Sequence, residues 1–388
     1  MPYLVRVLGV EKYGLVNFAF AFAIYFTTLT DYGFSLSATR EIAVEKNNQA
    51  KLEAIFNSTF FSKILLLVPT TAIYFFVVLL VPYFNVDKML YIIVYFSIIG
   101  SLLFPNWFFI GIERMQLIAI INIIFRVMSV IAIYLLVQNS NDILVYATII
   151  CSYQILVGIA GILYIVYSGF CKIKFPGWNL VFARIRKGFS IFTSSFAIML
   201  YTTSNTFVLG LLSGTTAVGL FSGADKMRLA AQNIGGIAGQ TVYPHTANLF
   251  AKSKLIAKTF LKKYTKIFGV LFLFLGIVLF FGSDFIIRTF LGVEFVDSII
   301  VLKILSFLPL IIFLSNLFGI QIMLNLGFDK AFNRIIIAAA LIHLTLLFLL
   351  IPHFAQIGTA ISMLVTEVFV TTSMITFVLK RKLFINAI

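Results

Sequence analysis

Long apolar runs recur along this chain, and they constrain its fold more than any other feature of the sequence. About eleven runs approach 20 residues, the length that an α-helix needs to cross the hydrocarbon core of a bilayer. Backbone groups in hydrocarbon must be hydrogen-bonded within the protein, which leaves only helices or closed barrels. The polar–apolar alternation of barrel strands is absent. We therefore predict an all-α integral membrane protein.

The predicted spans leave little of the chain outside the membrane. Hydrophobic residues make up 61% of the 388 residues, and charged residues only 11%. No connecting segment is long enough to hold a soluble domain. The eleven predicted transmembrane helices cover residues 14–30, 60–81, 89–111, 117–136, 143–168, 189–211, 217–249, 266–281, 298–323, 335–351 and 356–379.

Basic residues divide unevenly between the loops. Of the 29 lysines and arginines, twenty lie in one alternating set of loops, whereas four lie in the other set and ahead of the first span. Because cytoplasmic loops carry the excess of lysine and arginine, the richer loops should face the cytoplasm. The net charge of +15 therefore reflects topology, and we predict no nucleic-acid partner.

This topology places the start of the chain on the outer side of the membrane. An external, mildly basic start without a cleavable signal peptide is awkward to insert. We therefore expect that one helix precedes this sequence in a twelve-helix parent, and that the chain as given lacks that first helix.

Two short stretches recur in the two halves of the sequence. Leu8–Leu15 resembles Leu212–Leu220 at an offset of 204–205 residues, and Gly111–Arg114 resembles Gly327–Lys330 at an offset of 216. Internal repeats that enter the membrane with the same polarity are typical of transporters. We predict a two-bundle transporter fold with an N-terminal helical bundle, a basic cytoplasmic linker and a six-helix C-terminal bundle. Their predicted bounds are 1–168, 169–188 and 189–388.

The predicted span 217–249 carries three charges, Asp225, Lys226 and Arg228. At the centre of a membrane helix each charge costs roughly 2.5–3.5 kcal/mol, so it needs a polar partner or a wet cavity. Asp225 and Arg228 are one helical turn apart and can pair, whereas Lys226 points elsewhere. We interpret the segment as the lining of a polar cavity through which an anion moves. The alternative is that these charges only pair and hold the bundle together.

Other cations extend this hypothesis. Arg126 follows Asn122 by four residues, which gives one polar stripe on an otherwise apolar helix. Arginine binds phosphate oxygens with a planar fork, and lysine adds a compact charge. We predict a cationic cavity that receives a diphosphate and is lined by Arg6, Arg126, Lys226 and Arg228.

Asp31, Asp225 and Glu367 are the acidic residues that could couple transport to H⁺ or Na⁺, because they lie inside spans or at their ends. Pairing with a nearby base is the alternative, and the interfacial position of Asp31 favours it. Glu367 has no basic residue within a turn of its own helix, which makes it the stronger candidate. We interpret His343 as a hydrogen-bonded packing residue rather than a proton relay.

The sequence contains no pattern typical of an enzyme. A phosphate-binding P-loop is absent, so the chain should not hydrolyse ATP itself. Neither the three scattered histidines nor the two cysteines form a metal-ligand spacing. We predict no catalytic residue, no metal site and no cofactor.

Five further motifs carry a family resemblance that covers essentially the whole chain. They are Pro2–Gly9, Asp31–Phe34, Ala38–Ala43, Trp107–Arg114 and Val218–Lys226. Together they resemble the polysaccharide-unit (O-antigen) flippase family of the multidrug/oligosaccharidyl-lipid/polysaccharide exporter superfamily. In that family a helix precedes the Arg-Val-Leu-Gly pattern. By the same resemblance, Arg6 and Lys226 fall where related flippases keep cationic lumen residues.

The resemblance implies a twelve-helix, two-bundle protein of the bacterial cytoplasmic membrane. Such a protein flips undecaprenyl-diphosphate-linked oligosaccharide units to the outer leaflet by alternating access. The implied partners are the lipid-linked oligosaccharide diphosphate and membrane lipids. A polysaccharide polymerase and a chain-length regulator are further candidate partners.

Two other functions stay open. A multidrug or cation antiporter of the same superfamily should have a cavity dominated by acids, but in-span bases outnumber in-span acids here. A membrane-embedded polysaccharide polymerase should have a sizeable exterior loop with paired catalytic residues. The longest predicted exterior loop has only about 16 residues.

Overall fold

The structure, a computed structural model, consists of α-helices joined by short turns. It describes residues 2–85 and 87–381, apart from the side chains at 190, 194–195, 197–198, 201–202, 235–241, 243–244, 247–248, 251 and 254. These described residues contain no β-strand. The α-helices are α1 (Pro2–Asp31), α2 (Phe34–Glu45), α3 (Gln49–Leu80), α4 (Lys88–Leu103), α5 (Asn106–Gly111), α6 (Met115–Leu136), α7 (Ile143–Tyr167), α8 (Trp178–Lys252), α9 (Lys254–Phe281), α10 (Ser283–Phe290), α11 (Ser298–Leu305), α12 (Leu308–Asn316) and α13 (Asp329–Lys380). A π-helix, Leu317–Leu324, follows α12 directly.

The helices are long and apolar enough to cross a membrane, which confirms the predicted all-α membrane fold. Nine such segments occur among the described residues. One of them, α13, has 52 residues and contains both predicted spans 335–351 and 356–379. Its backbone leaves the helical conformation at Ala355 (φ 46°, ψ −123°), three residues after Pro352.

Helix α8 likewise contains two predicted spans, 189–211 and 217–249. It runs for 75 residues and breaks at Gly214. Several side chains of both predicted spans lie outside the described set. The expectation of a further helix ahead of the chain stays a prediction.

The chain packs as two compact units. The first comprises Tyr3 and Val16–Thr203, and the second comprises Pro2, Leu4–Leu15 and the described residues from Ser204 onwards. Helices α1 and α8 therefore each begin in one unit and continue into the other. The predicted linker 169–188 lies inside the first unit. The predicted bounds of the two bundles stay a prediction.

Aromatic side chains form much of each core. In the first unit Phe56 stacks on Trp107 with 5.7 Å between ring centroids, and the edge of Phe108 meets Phe56 at 5.4 Å. In the second unit Tyr264 lies 5.5 Å from Phe313 between ring centroids. Such pairs bury large apolar areas and prefer these offset and edge-on geometries.

The repeat predicted from Leu8–Leu15 and Leu212–Leu220 is visible in the backbone. Gly9 adopts φ 70°, ψ 173° and Gly214 adopts φ 82°, ψ 178°, a region open essentially only to glycine. A second glycine follows each break after five residues, at Gly14 and Gly219. Both halves therefore start a helix in the same way, at an offset of 205 residues, as the sequence match predicts.

The two repeated segments pack against each other within the second unit. A Cβ atom on Gly14 would lie 1.8 Å from the carbonyl oxygen of Thr215, and one on Gly219 would lie 2.1 Å from that of Val10. Val10 and Thr215 occupy the same position in the repeat, so the crossing is reciprocal. Small residues allow this close approach of membrane helices, as at other helix interfaces in lipid.

The second pair of similar stretches, Gly111–Arg114 and Gly327–Lys330, forms the same kind of turn in both halves. The register predicted for this pair is wrong by two residues. The turn needs one residue with positive φ, which is Glu113 (φ 59°) in the first half and Gly327 (φ 78°) in the second. In both turns the next residue donates its N–H to the carbonyl five residues back at 2.9 Å. Equivalent residues are therefore 214 apart rather than 216. The register of this repeat therefore follows from the backbone conformation and not from the similarity of residue types.

We expect Gly14→Ala and Gly219→Ala to destabilise the protein, because each added methyl group meets a backbone carbonyl of the crossing helix. Overpacking costs about 1–3 kcal/mol, and contact with backbone puts both variants near the upper end. Gly269→Ala is the matched control, since nothing lies within 4 Å of a Cβ atom there. Thermal unfolding in detergent measures the effect. Equal midpoints for Gly14→Ala and Gly269→Ala would contradict this account of the crossing.

Candidate functional site

The crossing of α1 and α8 determines where Lys226 lies. Gly219 fixes α8 against the start of α1, and Lys226 follows two turns later on a half-buried part of α8. Its Nζ lies 4.8 Å from the ring centroid of Tyr13, which is only 1% exposed. A cation over an aromatic ring gains roughly 0.5–2 kcal/mol, more where water is excluded. The aromatic face thus holds a lysine inside an apolar segment.

Arg228 points to a different partner on the same helix. Its Nε donates to Asp225 Oδ1 at 2.6 Å, and its Nη1 donates to Gln232 Oε1. The predicted pairing of Asp225 with Arg228 is therefore confirmed. Arg228 is 3% exposed, so its charge is buried and neutralised locally. Asp225 and Arg228 thus pair with each other, as in the alternative that these charges hold the bundle together. A direct role of Arg228 in binding stays a prediction.

Arg6 lies in the same unit as Lys226 and Arg228. Its side chain is exposed, and its Nη2 donates to the carbonyl of Thr289, which belongs to α10. The region just after α10 also borders Tyr13, because Phe295 meets the Tyr13 ring at 6.2 Å between centroids. Arg6 and Tyr13, the ring that Lys226 contacts, therefore both lie against the stretch from Thr289 to Phe295.

Arg126 lies in the first unit, on α6. Its guanidinium carbon is 5.5 Å from the ring centroid of Tyr153, and the Tyr153 hydroxyl donates to Asn122. Both residues of the predicted polar stripe, Asn122 and Arg126, thus contact Tyr153 of α7. Asn122 and Tyr153 line a cavity of about 400 Å³ in this unit. Arg126 itself is exposed.

The three predicted coupling carboxylates have different surroundings. Asp31 accepts hydrogen bonds from Lys63 Nζ and Ser35 Oγ, each at 2.6 Å. Asp225 is held by Arg228, and Glu367 lies half-buried on α13. Their role in ion coupling stays a prediction.

Lys63 is the residue that sequence reasoning missed. It is 2% exposed, pairs with Asp31 and lies 5.8 Å from the ring centroid of Trp107. The available signal was a lysine inside the predicted span 60–81 with no acid on its own helical face.

His343 matches the packing interpretation. It is 1% exposed, and its ring nitrogens make hydrogen bonds to Thr366 at 3.1 Å and to Asn205 at 3.0 Å. Buried polar groups in hydrocarbon need such partners. The network joins α8 and two parts of α13 inside the second unit.

A second charged cluster lies at one end of the first unit, outside the membrane spans. Glu41 of α2 accepts hydrogen bonds from Arg184 at 2.6 Å and from Lys187 at 2.8 Å, both on α8. Burial raises the pKa of the Glu41 carboxyl, but the hydrogen bonds and charges of Lys187 and Arg184 outweigh it. The pKa of Glu41 therefore lies below its ordinary value of 4.5.

These features define a multi-pass, all-helical membrane protein with the fold of known membrane transporters. An inward-facing multidrug resistance MATE family transporter of the MOP superfamily aligns with a TM-score of 0.68 and 13% identity, over 100% of this chain and 95% of that one. The Lipid II flippase MurJ in an inward closed conformation aligns with a TM-score of 0.69 and 16% identity, over 97% and 84%. At this identity the likeness concerns the fold alone.

Sequence similarity gives the family. Residues 1–250 match the family described as "Polysaccharide biosynthesis protein". Two relatives, each named "Putative O-antigen transporter", are 33% identical in Escherichia coli (strain K12) and 28% identical in Shigella dysenteriae. The matches cover 99% and 97% of this chain, and 92% and 93% of the relatives. The chain belongs to the polysaccharide biosynthesis protein family, and the resemblance inferred from its motifs is confirmed.

We expect Arg228→Met to lower protein abundance strongly, because it leaves the carboxylate of Asp225 without its cation. Removing one member of a buried ion pair costs about 3–5 kcal/mol. The double variant Arg228→Met with Asp225→Asn should recover much of this loss, since no charge is then left alone. Fluorescence-detected size-exclusion chromatography of the tagged protein measures the folded fraction. A double variant no better than Arg228→Met alone would contradict a structural role for the pair.

We expect the bridge on Glu41 to make the protein less stable in acid. Because the folded pKa of Glu41 lies below its ordinary value of 4.5, the bridge contributes fully above that value. The contribution is lost as the pH falls through the folded pKa. The thermal midpoint of Glu41→Gln should therefore fall less than that of the wild type between neutral and acidic pH. Parallel pH profiles for the two proteins would argue against the bridge.

Proposed function

We propose that this protein is a flippase that carries undecaprenyl-diphosphate-linked oligosaccharide units across the bacterial cytoplasmic membrane by alternating access. The observation that carries the proposal is the similarity to O-antigen transporters over nearly the whole chain. The transporter fold is consistent with it, since the protein is a bundle of apolar helices with charged groups among them.

The charge distribution supports an anionic cargo. Among the four predicted cavity cations, Arg228 is neutralised by Asp225 one turn away on the same helix. Lys226 rests on the ring of Tyr13 and Arg126 on the ring of Tyr153, and an aromatic ring leaves the cation its net charge. Fixed cations of this kind offset the cost of taking a diphosphate out of water. In this proposal Arg6, Arg126 and Lys226 attract the diphosphate during transport, while the lipid tail stays in the bilayer.

In this proposal the carboxylates bind the ion whose gradient drives transport. Asp31 and Asp225 each hold a basic residue, so binding of H⁺ or Na⁺ at either site would compete with Lys63 or Arg228. Glu367 lies on another helix and is the preferred coupling residue. The delivered units would pass to a polysaccharide polymerase and a chain-length regulator outside the membrane.

We expect Lys226→Ala and Arg126→Ala to abolish the assembly of surface polysaccharide without lowering protein abundance. Both changes remove the charge and leave in place the aromatic ring that the cation contacts, so folding should tolerate them. Lys262→Ala, on an exposed part of α9, is the control and should keep assembly intact. Surface polysaccharide on gels and membrane abundance on immunoblots are the measurements. Wild-type assembly in both cavity variants would rule out the cationic pathway.

A further inference from the structure

A cavity in the first unit lies apart from the predicted cationic residues of the spans. It has a volume of about 590 Å³ and lies where α2, the start of α3 and the start of α8 meet. The predicted topology places this end of the unit in the cytoplasm. Its lining includes four basic and two acidic side chains, which are Arg40, Lys51, Arg184, Lys187, Glu41 and Glu45.

The basic side chains that line the cavity outnumber the acidic ones that pair with them. Lys51 pairs with Glu45 at 2.8 Å, whereas Glu41 alone serves both Arg184 and Lys187. Arg40 is exposed and makes no ion pair or hydrogen bond within the part of the chain that the structure describes. The cavity therefore combines room for a ligand with an excess of cations.

Arg184 adds a feature that points to a ligand. It is 7% exposed, and its Nη1 is used by Glu41, but its Nε is buried without a hydrogen-bond partner among the described residues. A buried donor without a partner is destabilising and rare in folded proteins, so such donors need an explanation. An anionic oxygen in the cavity would accept this hydrogen bond. Guanidinium groups bind phosphate oxygens in this way.

We propose that this cavity is a binding site for a phosphate or diphosphate group, with Arg184 and Arg40 as its principal ligands. The proposal goes beyond the flippase function, because it concerns a site at one end of the first unit and holds for any cargo. Two sources share this chemistry, namely the headgroup of an anionic membrane lipid and the diphosphate of a cargo molecule. Glu41 acts as an internal competitor, since its carboxylate occupies the same cations.

The test is binding of inorganic pyrophosphate to the purified full chain in neutral detergent, measured by isothermal titration calorimetry. Charged hydrogen bonds contribute about 1.5–3 kcal/mol, so Arg40→Gln and Arg184→Gln should each weaken binding about tenfold or more. Glu41→Gln should strengthen it, because Arg184 and Lys187 are then released from a carboxylate. Arg186→Gln is the matched control: the residue is exposed on the same helix, does not line the cavity and should keep the wild-type affinity.

The opposite results overturn the proposal. Arg184→Gln disturbs a buried bridge, so Arg40→Gln and Glu41→Gln decide the matter if Arg184→Gln does not fold. No pyrophosphate binding by the wild type, or equal affinities in wild type, Arg40→Gln and Glu41→Gln, would overturn it.

A second measurement identifies the source of the phosphate. The protein is placed in nanodiscs of phosphatidylcholine alone or with phosphatidylglycerol, and the pyrophosphate titration is repeated. Weaker pyrophosphate binding in phosphatidylglycerol upholds the site with a membrane lipid as its ligand. Equal binding in both nanodiscs upholds it with a cargo diphosphate as its ligand.

Discussion

The cost of placing charge in a low-dielectric medium governs this structure more than any other interaction. Three of the in-span charges discussed above each have a near neighbour that compensates them. Arg228 has Asp225 at 2.6 Å, and Lys63 has Asp31 at 2.6 Å. Lys226 has the face of Tyr13 at 4.8 Å. The first two arrangements pair opposite charges, whereas the third places a cation against an aromatic face.

The geometry behind the third arrangement is the reciprocal crossing of the two repeated helix starts. Gly14 and Gly219 remove the side chains that would separate the helices, so two backbones meet directly. This close approach puts Tyr13 of one repeat beside Lys226 of the other. Helix packing therefore determines the surroundings of the charge: the repeat creates a contact that neither segment could form by itself.

The sequence was informative where the physics is local. Apolar run length predicts the membrane helices, and a spacing of three residues predicts the Asp225–Arg228 pair. Contacts between distant parts of the chain were not predictable in this way. Lys63 and Asp31 are 32 residues apart, and Arg184 and Glu41 are 143 apart, so no helical spacing relates them. The two-residue error in the second repeat has a related origin. Similar residue types suggested one register, whereas the positions of the positive-φ residues determine the actual one.

The division of α1 and α8 between the units means that the two halves of the sequence exchange parts. Residues 4–15 of the first half pack in the second unit, while the start of α8, from the second half, packs in the first. A cut in the segment just before α8 would leave neither fragment with a whole core. One fragment would lack the helix that carries Arg184, and the other would lack residues 4–15, which pack against Gly219. The duplicated halves are consequently interdependent, and each completes the fold of the other.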